Sequence, residues 1–208
     1  MGKGPKSVNP YYNPVLYFCG VQVTRFLAGV FWRRRIRGLE NIPPRGQGVI
    51  FAANHRSLAD PNLVGSVIPY PIHYFAKDEL FHVPVIGWYI RRVNSFPVKR
   101  GAHDISSFKT AIRVLEAGEC LLLFPEGGRR EGDRQWKAKP GVGMLACKTG
   151  ARVIPVLVKN SDHLAQFKPL SVIFGKPLTP PADGEREVYQ QFSDTIMQKI
   201  KELNDEPA

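Results

Sequence analysis

The first apolar stretch of the chain differs in pattern from everything that follows it. Residues 14–32 are mostly apolar, with Gln22, Thr24 and Arg25 near the middle, and four arginines follow within residues 33–37. A membrane-spanning helix needs roughly 20 predominantly apolar residues, and a charged side chain at mid-membrane costs at least about 2.5–3.5 kcal/mol. We therefore rank a helix that lies in the membrane interface first, a core-packed helix second and a spanning helix third.

From residue 46 onward, short apolar runs alternate with amphipathic segments. Strands are predicted at residues 48–54, 73–77, 119–128 (running into a glycine-rich turn), 153–158 and 170–175, the last as an edge strand. This alternation predicts an α/β fold, with a mostly parallel or mixed sheet flanked by helices and preceded by an N-terminal membrane-associating helical segment. We assign residues 1–38 to that segment and residues 39–208 to the α/β domain.

The predicted helices carry recognisable start signals and apolar faces. Asp60 is predicted to cap a helix at residues 61–68, with Pro61 in its first turn. Asp104 is predicted to cap a helix that ends at Gly118. The apolar face predicted for this helix is Ile105, Phe108, Ile112 and Leu115, and that for the C-terminal helix is Val188, Phe192, Ile196, Ile200 and Leu203.

The net charge and the cysteines indicate which classes of binding partner and which cellular compartment to expect. The 208 residues suffice for one domain with a sizeable core. They carry 29 basic and 18 acidic side chains, a net charge of +11, which attracts nucleic acid, anionic lipid headgroups or phosphorylated substrates. Cys19, Cys120 and Cys147 fit no metal motif, and we predict reduced core thiols in a cytosolic compartment.

Polar clusters follow the predicted strands at residues 54–60, 98–101 and 125–130. Ligands of open α/β sheets bind outside the carboxyl ends of the strands, so these clusters are candidates for one site. His55 has the chemistry to take a proton from a hydroxyl near neutral pH, and Asp60 five residues later has the chemistry to orient its ring. The alternative is a structural turn, in which Asp60 serves only as a helix cap.

The segment F-P-E-G-G-R-R at residues 124–130 has the composition of a ligand-binding turn. Gly127 and Gly128 would let the backbone approach a ligand closely. Glu126 could accept hydrogen bonds from a polyol, and Arg129 with Arg130 could hold a phosphate. The alternative is a glycine turn with solvated charges, and the segment lacks the pattern of a phosphate-binding P-loop.

Together these clusters resemble the glycerolipid acyltransferases typified by 1-acyl-sn-glycerol-3-phosphate acyltransferase. The family motif N-H-x-x-x-x-D is matched at residues 54–60, and K-x-E-L-x-x-x-P-x-x-G at residues 77–87. A block ending in arginine is matched at Arg100, F-P-E-G-T-R-S at residues 124–130 and V-I-P-V at residues 153–156. Gly128 and Arg130 replace the threonine and serine of the fourth motif.

The resemblance implies transfer of a fatty acyl group from acyl-CoA or acyl-carrier protein to an acceptor hydroxyl. His55 would be the general base and Asp60 its orienting partner. No covalent acyl-enzyme is expected, because Ser57 lacks the flanking pattern of a nucleophile elbow. Lys77, Arg100 and Arg129 would hold the acceptor phosphate, Glu126 would position its glycerol end, and Gly127 would let the backbone approach the substrate.

The same resemblance sets the expected partners. They are a lysophospholipid acceptor, specifically 1-acyl-glycerol-3-phosphate, an acyl thioester donor and an anionic membrane surface, with no metal or cofactor and no nucleic acid. The enzyme would be peripheral or monotopic on the cytoplasmic face of the membrane, and an acidic carrier protein would be attracted by its positive surface. Two alternatives stay open: a different lysolipid or amino-lipid acceptor, and, more remotely, a basic nucleic-acid-binding module that shows none of the usual motifs.

Overall fold

The computed structural model describes residues 9–99, 104–129 and 137–205. Its strands are β1 (Arg35–Arg37), β2 (Ile50–Ala53), β3 (His73–Lys77), β4 (Ser95–Val98), β5 (Leu121–Leu123), β6 (Val153–Lys159) and β7 (Ser171–Phe174). Its helices are α1 (Pro14–Trp32), α2 (Asp60–Gly65), α3 (Pro84–Arg92), α4 (Ile105–Glu116), α5 (Gly141–Thr149) and α6 (Arg186–Asp205). Short 3₁₀ turns lie at Leu39–Asn41, Asp78–His82 and Ser161–Gln166.

The described strands form one mixed sheet in the order β1-β7-β6-β2-β5-β3-β4. Strands β2 to β6 run parallel, β7 is antiparallel to β6, and β1 is parallel to β7. The predicted α/β fold class is confirmed. The prediction of an edge strand at residues 170–175 is wrong, because β1 covers β7. We did not predict β1 because its three residues carry a single apolar side chain, that of Ile36, which is too few to form a pattern.

The sheet is buried on both faces, which explains the continuous apolar runs of its central strands. In β2, Phe51 and Ala53 belong to one core cluster, whereas Ile50 and Ala52 belong to the other. Side chains of α1 and α2 pack in the first cluster, and side chains of α4, α5 and α6 pack in the second. The loop that contains His55 therefore follows a strand that is packed on both faces and paired along both edges.

The two predicted helix faces had different outcomes. In α6, Phe192, Ile196, Ile200 and Leu203 are buried as predicted, and Val188 packs against the same core. In α4, Asp104 is the N-cap as predicted, since its Oδ1 accepts the N–H of Ser107 at 3.1 Å. The predicted α4 face is partly wrong: Ile105 is 64% exposed, while the buried face consists of Ser107, Ala111, Val114 and Leu115. A helix packed closely on a sheet accepts small side chains at the contact, which a pattern of large apolar residues does not reveal.

Helix α1 packs on the protein with one side only. Its buried residues are Tyr17 and Ala28, and the Tyr17 hydroxyl lies 3.1 Å from that of Tyr74. Arg25 points toward the protein, where its Nε donates to the carbonyl of Ser66 at 2.5 Å. Its exposed large residues are Val15, Phe18, Val23, Phe26, Leu27, Val30 and Phe31. Among the described residues, α1 alone has the length and hydropathy of a membrane-crossing helix, a test that core helices and signal sequences also pass.

Two further sequence expectations concern the N-terminal part of the chain. Cys120 and Cys147 are buried free thiols, but Cys19 is exposed on α1, so the prediction of three core thiols is wrong for Cys19. The division of the chain after residue 38 stays a prediction. Because Arg35–Arg37 pair with β7, a truncation meant to remove α1 alone should end before Arg35.

Buried His73 is expected to make the fold acid-sensitive. Burial and then the nearby charge of Arg45 lower the pKa of this histidine from 6.5 to about 4. The unfolded chain binds the proton near pH 6.5 and the folded chain only near pH 4, so the free energy of unfolding falls as pH drops through this window. We expect a loss of about 2 kcal/mol between pH 7 and pH 5 from this group. Urea unfolding at both pH values measures it, and an equally large loss in His73→Gln would assign the acid sensitivity to other groups.

Candidate active site

The predicted site residues that the structure describes come from neighbouring parallel strands. His55 follows β2, Phe124–Arg129 follow β5, and Lys77 ends β3, and the three strands are adjacent in the order β2-β5-β3. Parallel neighbours end at the same edge of a sheet, so the topology brings these residues together. Arg100 and Arg130 lie outside the described residues.

His55 and Asp60 form the predicted pair. The Nδ1 of His55 lies 3.0 Å from Oδ2 of Asp60, whose side chain is fully buried. The same Oδ2 accepts the backbone N–H groups of Arg56 and Ser57, each at 2.7 Å. The prediction that Asp60 is the N-cap of α2 is wrong, because Ala59 occupies that position and the Asp60 carboxylate turns back into the loop. Its carboxylate therefore shapes the loop and contacts the imidazole at once.

Two contacts besides that with Asp60 hold His55, one on its ring and one on its backbone. Phe124 stacks on the imidazole with ring centroids 3.9 Å apart and an interplanar angle of 17°. The backbone N–H of His55 donates to Oε2 of Glu126 at 2.9 Å. No described residue hydrogen-bonds to Nε2, and His55 lines a cavity. Nε2 is therefore the ring atom available to a substrate.

Asn54 anchors the start of the His55 loop to strand β6. Its Nδ2 donates to the carbonyl of Val158 at 2.9 Å, and its Oδ1 accepts the N–H of Val158 at 2.7 Å. The side-chain amide thus makes the two hydrogen bonds to β6 that the backbone of one more strand residue would make. The backbone itself can therefore turn away from the sheet at His55. We assigned no role to Asn54 or to Phe124 from the sequence, because both contacts join segments that are distant along the chain.

The cavity beside His55 has a volume of about 530 Å³ and a mostly apolar wall. Residues of α1, α3, β3 and the two loops contribute to it. Burial is the largest cause that raises the pKa of Tyr17 and of Tyr74 above the ordinary value, so both wall phenols stay neutral. The apolar and aromatic wall residues are Tyr17, Val21, Leu58, Tyr74, Phe75, Ala76, Leu80, Ile86, Tyr89, Ile90, Val93, Val98, Leu123 and Phe124.

Two cationic side chains line this cavity together with His55. Lys77 forms an ion pair with Glu79 at 3.0 Å, in which both side chains are partly exposed. Arg129 makes no ion pair or hydrogen bond with any residue that the structure describes. Two cations beside a candidate base form a suitable place for an anionic group of a substrate.

Of the two other predicted site residues that the structure describes, Gly127 lines the cavity and Glu126 does not. Gly127 lines the cavity with φ of +70°, and a Cβ there would meet Cδ of Lys139 at 2.7 Å, so a larger residue would strain the turn. Glu126 is absent from the described cavity wall, and the hydrogen bond given above supports the His55 backbone. Its contact with the glycerol end of a substrate stays a prediction. Within the described ranges, no group of three or more His, Cys, Asp and Glu side chains could hold a metal ion.

Comparisons with known proteins identify the family of the chain. A family model described as Acyltransferase matches residues 33–159. The 1-acyl-sn-glycerol-3-phosphate acyltransferase of Bacillus subtilis is 31% identical over 177 residues, covering 81% of this chain and 87% of that protein. The enzyme of the same name from Streptococcus pneumoniae is 32% identical over 144 residues, covering 67% of this chain and 53% of that one.

A solved structure supports the same assignment. The crystal structure of the 1-acyl-sn-glycerophosphate acyltransferase PlsC from Thermotoga maritima aligns with a TM-score of 0.68 at 26% identity. The alignment covers 93% of this chain and 80% of that one. The resemblance inferred from the sequence motifs is therefore confirmed, and the chain is an acyltransferase that belongs to the family of these enzymes.

Proposed function

We propose that this acyltransferase moves a fatty acyl group from a thioester to the free hydroxyl of 1-acyl-glycerol-3-phosphate, which gives phosphatidic acid. The observation that carries the proposal is one cavity lined by His55, by Lys77 and Arg129 and by a long apolar wall. A base, a phosphate site and a hydrocarbon site are the three things that this reaction needs. The names of the relatives support the same acceptor.

In the proposed reaction, Nε2 of His55 removes the proton of the acceptor hydroxyl as its oxygen attacks the thioester carbonyl. The C–S bond then breaks, and the thiol leaves with the proton carried by the imidazolium. The Asp60 carboxylate keeps the imidazole in the tautomer with its proton on Nδ1 and stabilises the imidazolium. The thioester is already activated, so the mechanism uses no acyl-enzyme and no cofactor or metal.

Ser57 is not a nucleophile in this mechanism. Its Oγ accepts the N–H of Ala59 at 3.2 Å, and its own N–H donates to Asp60. Both bonds shape the turn between His55 and α2. Ser57 is therefore a turn residue in the proposed mechanism.

The apolar wall would hold acyl chain, and Lys77 with Arg129 would hold the acceptor phosphate, with Arg100 as a further expected ligand. The cavity volume of about 530 Å³ lies within the range of about 300–1,000 Å³ typical of small-molecule sites. The donor would be acyl-CoA or acyl-carrier protein. The net charge of +11 would attract either one, since both are anionic.

The proposed location is the cytoplasmic face of a membrane, held by α1 as a peripheral or monotopic anchor. The exposed face of α1 is apolar, and its one charged residue, Arg25, turns toward the protein. The lipid-facing side of α1 therefore carries no charged side chain whose transfer into the membrane would cost free energy. Arg33 and Arg35 are exposed beyond the helix, where cations favour anionic headgroups.

An acceptor screen tests the proposed function. Purified protein would receive an acyl thioester with either lysophosphatidic acid or lysophosphatidylcholine, which lacks a terminal phosphate. We expect product with lysophosphatidic acid and little with lysophosphatidylcholine. Equal rates with both acceptors, or activity only on an amino-lipid, would reject the proposed acceptor while leaving the acyltransferase class intact.

Arg129→Ala should raise the KM for the phosphate-bearing acceptor by about 10–150-fold, since hydrogen bonds to charged groups contribute about 1.5–3 kcal/mol. The KM for the donor should change little. Arg129→Lys should rescue only in part, because an ammonium keeps the charge but loses the planar fork of donors. Steady-state kinetics with each substrate varied separately measures the difference.

Arg152→Ala is the matched control for this experiment. Arg152 is also exposed, but it precedes β6, at the edge of the sheet opposite His55. If both variants raise the acceptor KM equally, the effect comes from the overall positive charge of the protein and not from a contact made by Arg129. An unchanged acceptor KM in folded Arg129→Ala would reject the phosphate role.

A further inference from the structure

The described chain exposes a second apolar surface besides α1, at the beginning of α3. We call it the α3 rim, and it consists of Val83, Val85, Ile86 and Trp88, which are 41%, 77%, 45% and 51% exposed. Monomeric soluble proteins expose scattered apolar side chains, but a cluster of four within six residues marks an interaction site. Nothing in the proposed chemistry uses Val83, Val85 or Trp88.

The α3 rim lies beside the mouth of the active-site cavity. Ile86 is both exposed and part of the cavity wall, and Tyr89 and Ile90, one turn later, line the same cavity. Leu58, in the loop after His55, is 65% exposed and also lines it. A residue that is both exposed and lining must stand at an opening, so the cavity opens beside the α3 rim.

Helix α1 forms the other side of this opening. Tyr17, Gly20, Val21 and Thr24 of α1 line the same cavity as Ile86, Tyr89 and Ile90 of α3. The two helices are joined where the N–H of Asn13 donates to the carbonyl of Arg92 at 3.0 Å. The apolar exposed face of α1 and the α3 rim therefore flank one mouth.

The chemistry of α3 favours a lipid bilayer over a protein partner. Trp88 is a residue that prefers the membrane–water boundary, and the guanidinium of Arg92 lies 4.6 Å from the centre of its ring. Arg91 and Arg92 occupy the last turn, and the helix contains no acidic residue. An acidic carrier protein would be bound by cations, whereas the α3 rim itself is uncharged.

We infer that the α3 rim is a second membrane-contacting element. The mouth between α1 and α3 then opens into the acyl-chain region of the bilayer. A lipid acceptor reaches His55 sideways, with its chains still in the hydrocarbon and its phosphate toward Lys77 and Arg129. The inference rests on the proposed function in taking the acceptor to be a bilayer lipid.

Val85→Gln and Trp88→Gln test the inference without changing the net charge or the buried core. We expect each to weaken binding to vesicles of equal parts phosphatidylglycerol and phosphatidylcholine by about 10-fold, since each removes apolar area from lipid contact. Sedimentation measures the partition coefficient. Phe26→Gln on α1 is the positive reference, because Phe26 is 66% exposed on the proposed anchor.

Leu39→Gln is the matched negative control. Leu39 is as exposed as Trp88, at 51%, but it follows β1, which runs opposite to β2 and so ends at the far edge of the sheet. We expect its vesicle binding to stay within about 2-fold of wild type, because it touches no lipid in the inferred orientation. Brominated-chain lipids should also quench wild-type tryptophan emission more strongly than that of Trp88→Phe.

Activity on two substrate forms separates this inference from the proposed function. With lysophosphatidic acid dispersed in detergent, Val85→Gln and Trp88→Gln should keep wild-type turnover, whereas with acceptor in vesicles they should be slower by about the loss in binding. If wild type fails with both forms, the proposed function is wrong. If both α3 variants bind vesicles like wild type, or if they instead dissociate a dimer of wild-type protein, the inference is overturned.

Discussion

His55→Ala should lower kcat/KM by on the order of 10²–10⁴-fold, the usual contribution of a positioned general base. Alanine removes Nε2, the ring nitrogen without a described hydrogen-bond partner, from the wall of the cavity. Lys77 and Arg129 are untouched, so binding of the acceptor phosphate should persist. Single-turnover kinetics would show a slow chemical step with nearly normal substrate binding.

The variant has a structural cost that must be measured beside its activity. His55 is buried at 8% exposure, stacks on Phe124 and contacts Asp60. Losing these contacts should lower the free energy of unfolding by about 1–3 kcal/mol. His55→Asn is a second variant that keeps a polar side chain and more of the volume, and it should be equally inactive.

Two controls make the His55 result specific. His82→Ala removes a histidine whose side chain is 74% exposed and should keep wild-type activity. Ser57→Ala should keep most activity, because its hydroxyl shapes a turn and carries no acyl group in the proposed mechanism. Near-normal turnover in folded His55→Ala would rule out the base assignment, and a radiolabelled acyl group on Ser57 would replace it with a covalent mechanism.

Asp60→Asn should also lower kcat by on the order of 10²–10⁴-fold while leaving both KM values close to wild type. The amide oxygen can still accept the N–H groups of Arg56 and Ser57, so the loop should keep its shape. What is lost is the negative charge that stabilises the imidazolium. Kinetics with the donor and the acceptor varied separately measures both parameters.

Stability distinguishes the two roles of Asp60. Oδ1 is buried and accepts no hydrogen bond from the described residues, so an amide nitrogen placed there would be a buried, unpaired donor costing about 1–3 kcal/mol. Asp104→Asn is the control, because that partly exposed cap accepts backbone N–H groups and asparagine caps equally well. Full activity in folded Asp60→Asn would leave Asp60 with a purely structural role.

Much of the candidate site could be predicted because its parts are local in sequence. His55 and Asp60 are five residues apart in one turn, and the 124–130 turn directly follows a strand. A parallel sheet then brings strand ends together, whatever the details of packing. The start of α2 was mispredicted because a cap and a loop-shaping carboxylate have the same sequence pattern, and only the direction of the side chain separates them.

Contacts between distant segments could not be predicted. Phe124 on His55, Asn54 on Val158 and Glu126 under the His55 backbone join residues that are 69, 104 and 71 positions apart. No periodicity along the chain records such a pair. Each of these contacts restrains the candidate base, so the sequence identifies the chemistry but not how it is held in place.

The sequence by itself determined the alternation of strands and helices, the positions of the polar turns and the presence of an apolar N-terminal helix, since each depends on neighbouring residues. Tertiary structure alone decided that β1 covers β7, that Arg25 faces Ser66 and that α1 and α3 enclose a cavity beside His55. The physical reason is that these outcomes depend on which surfaces meet. An apolar side chain has the same pattern in the sequence whether it packs in a core, lines a cavity or remains exposed for a membrane.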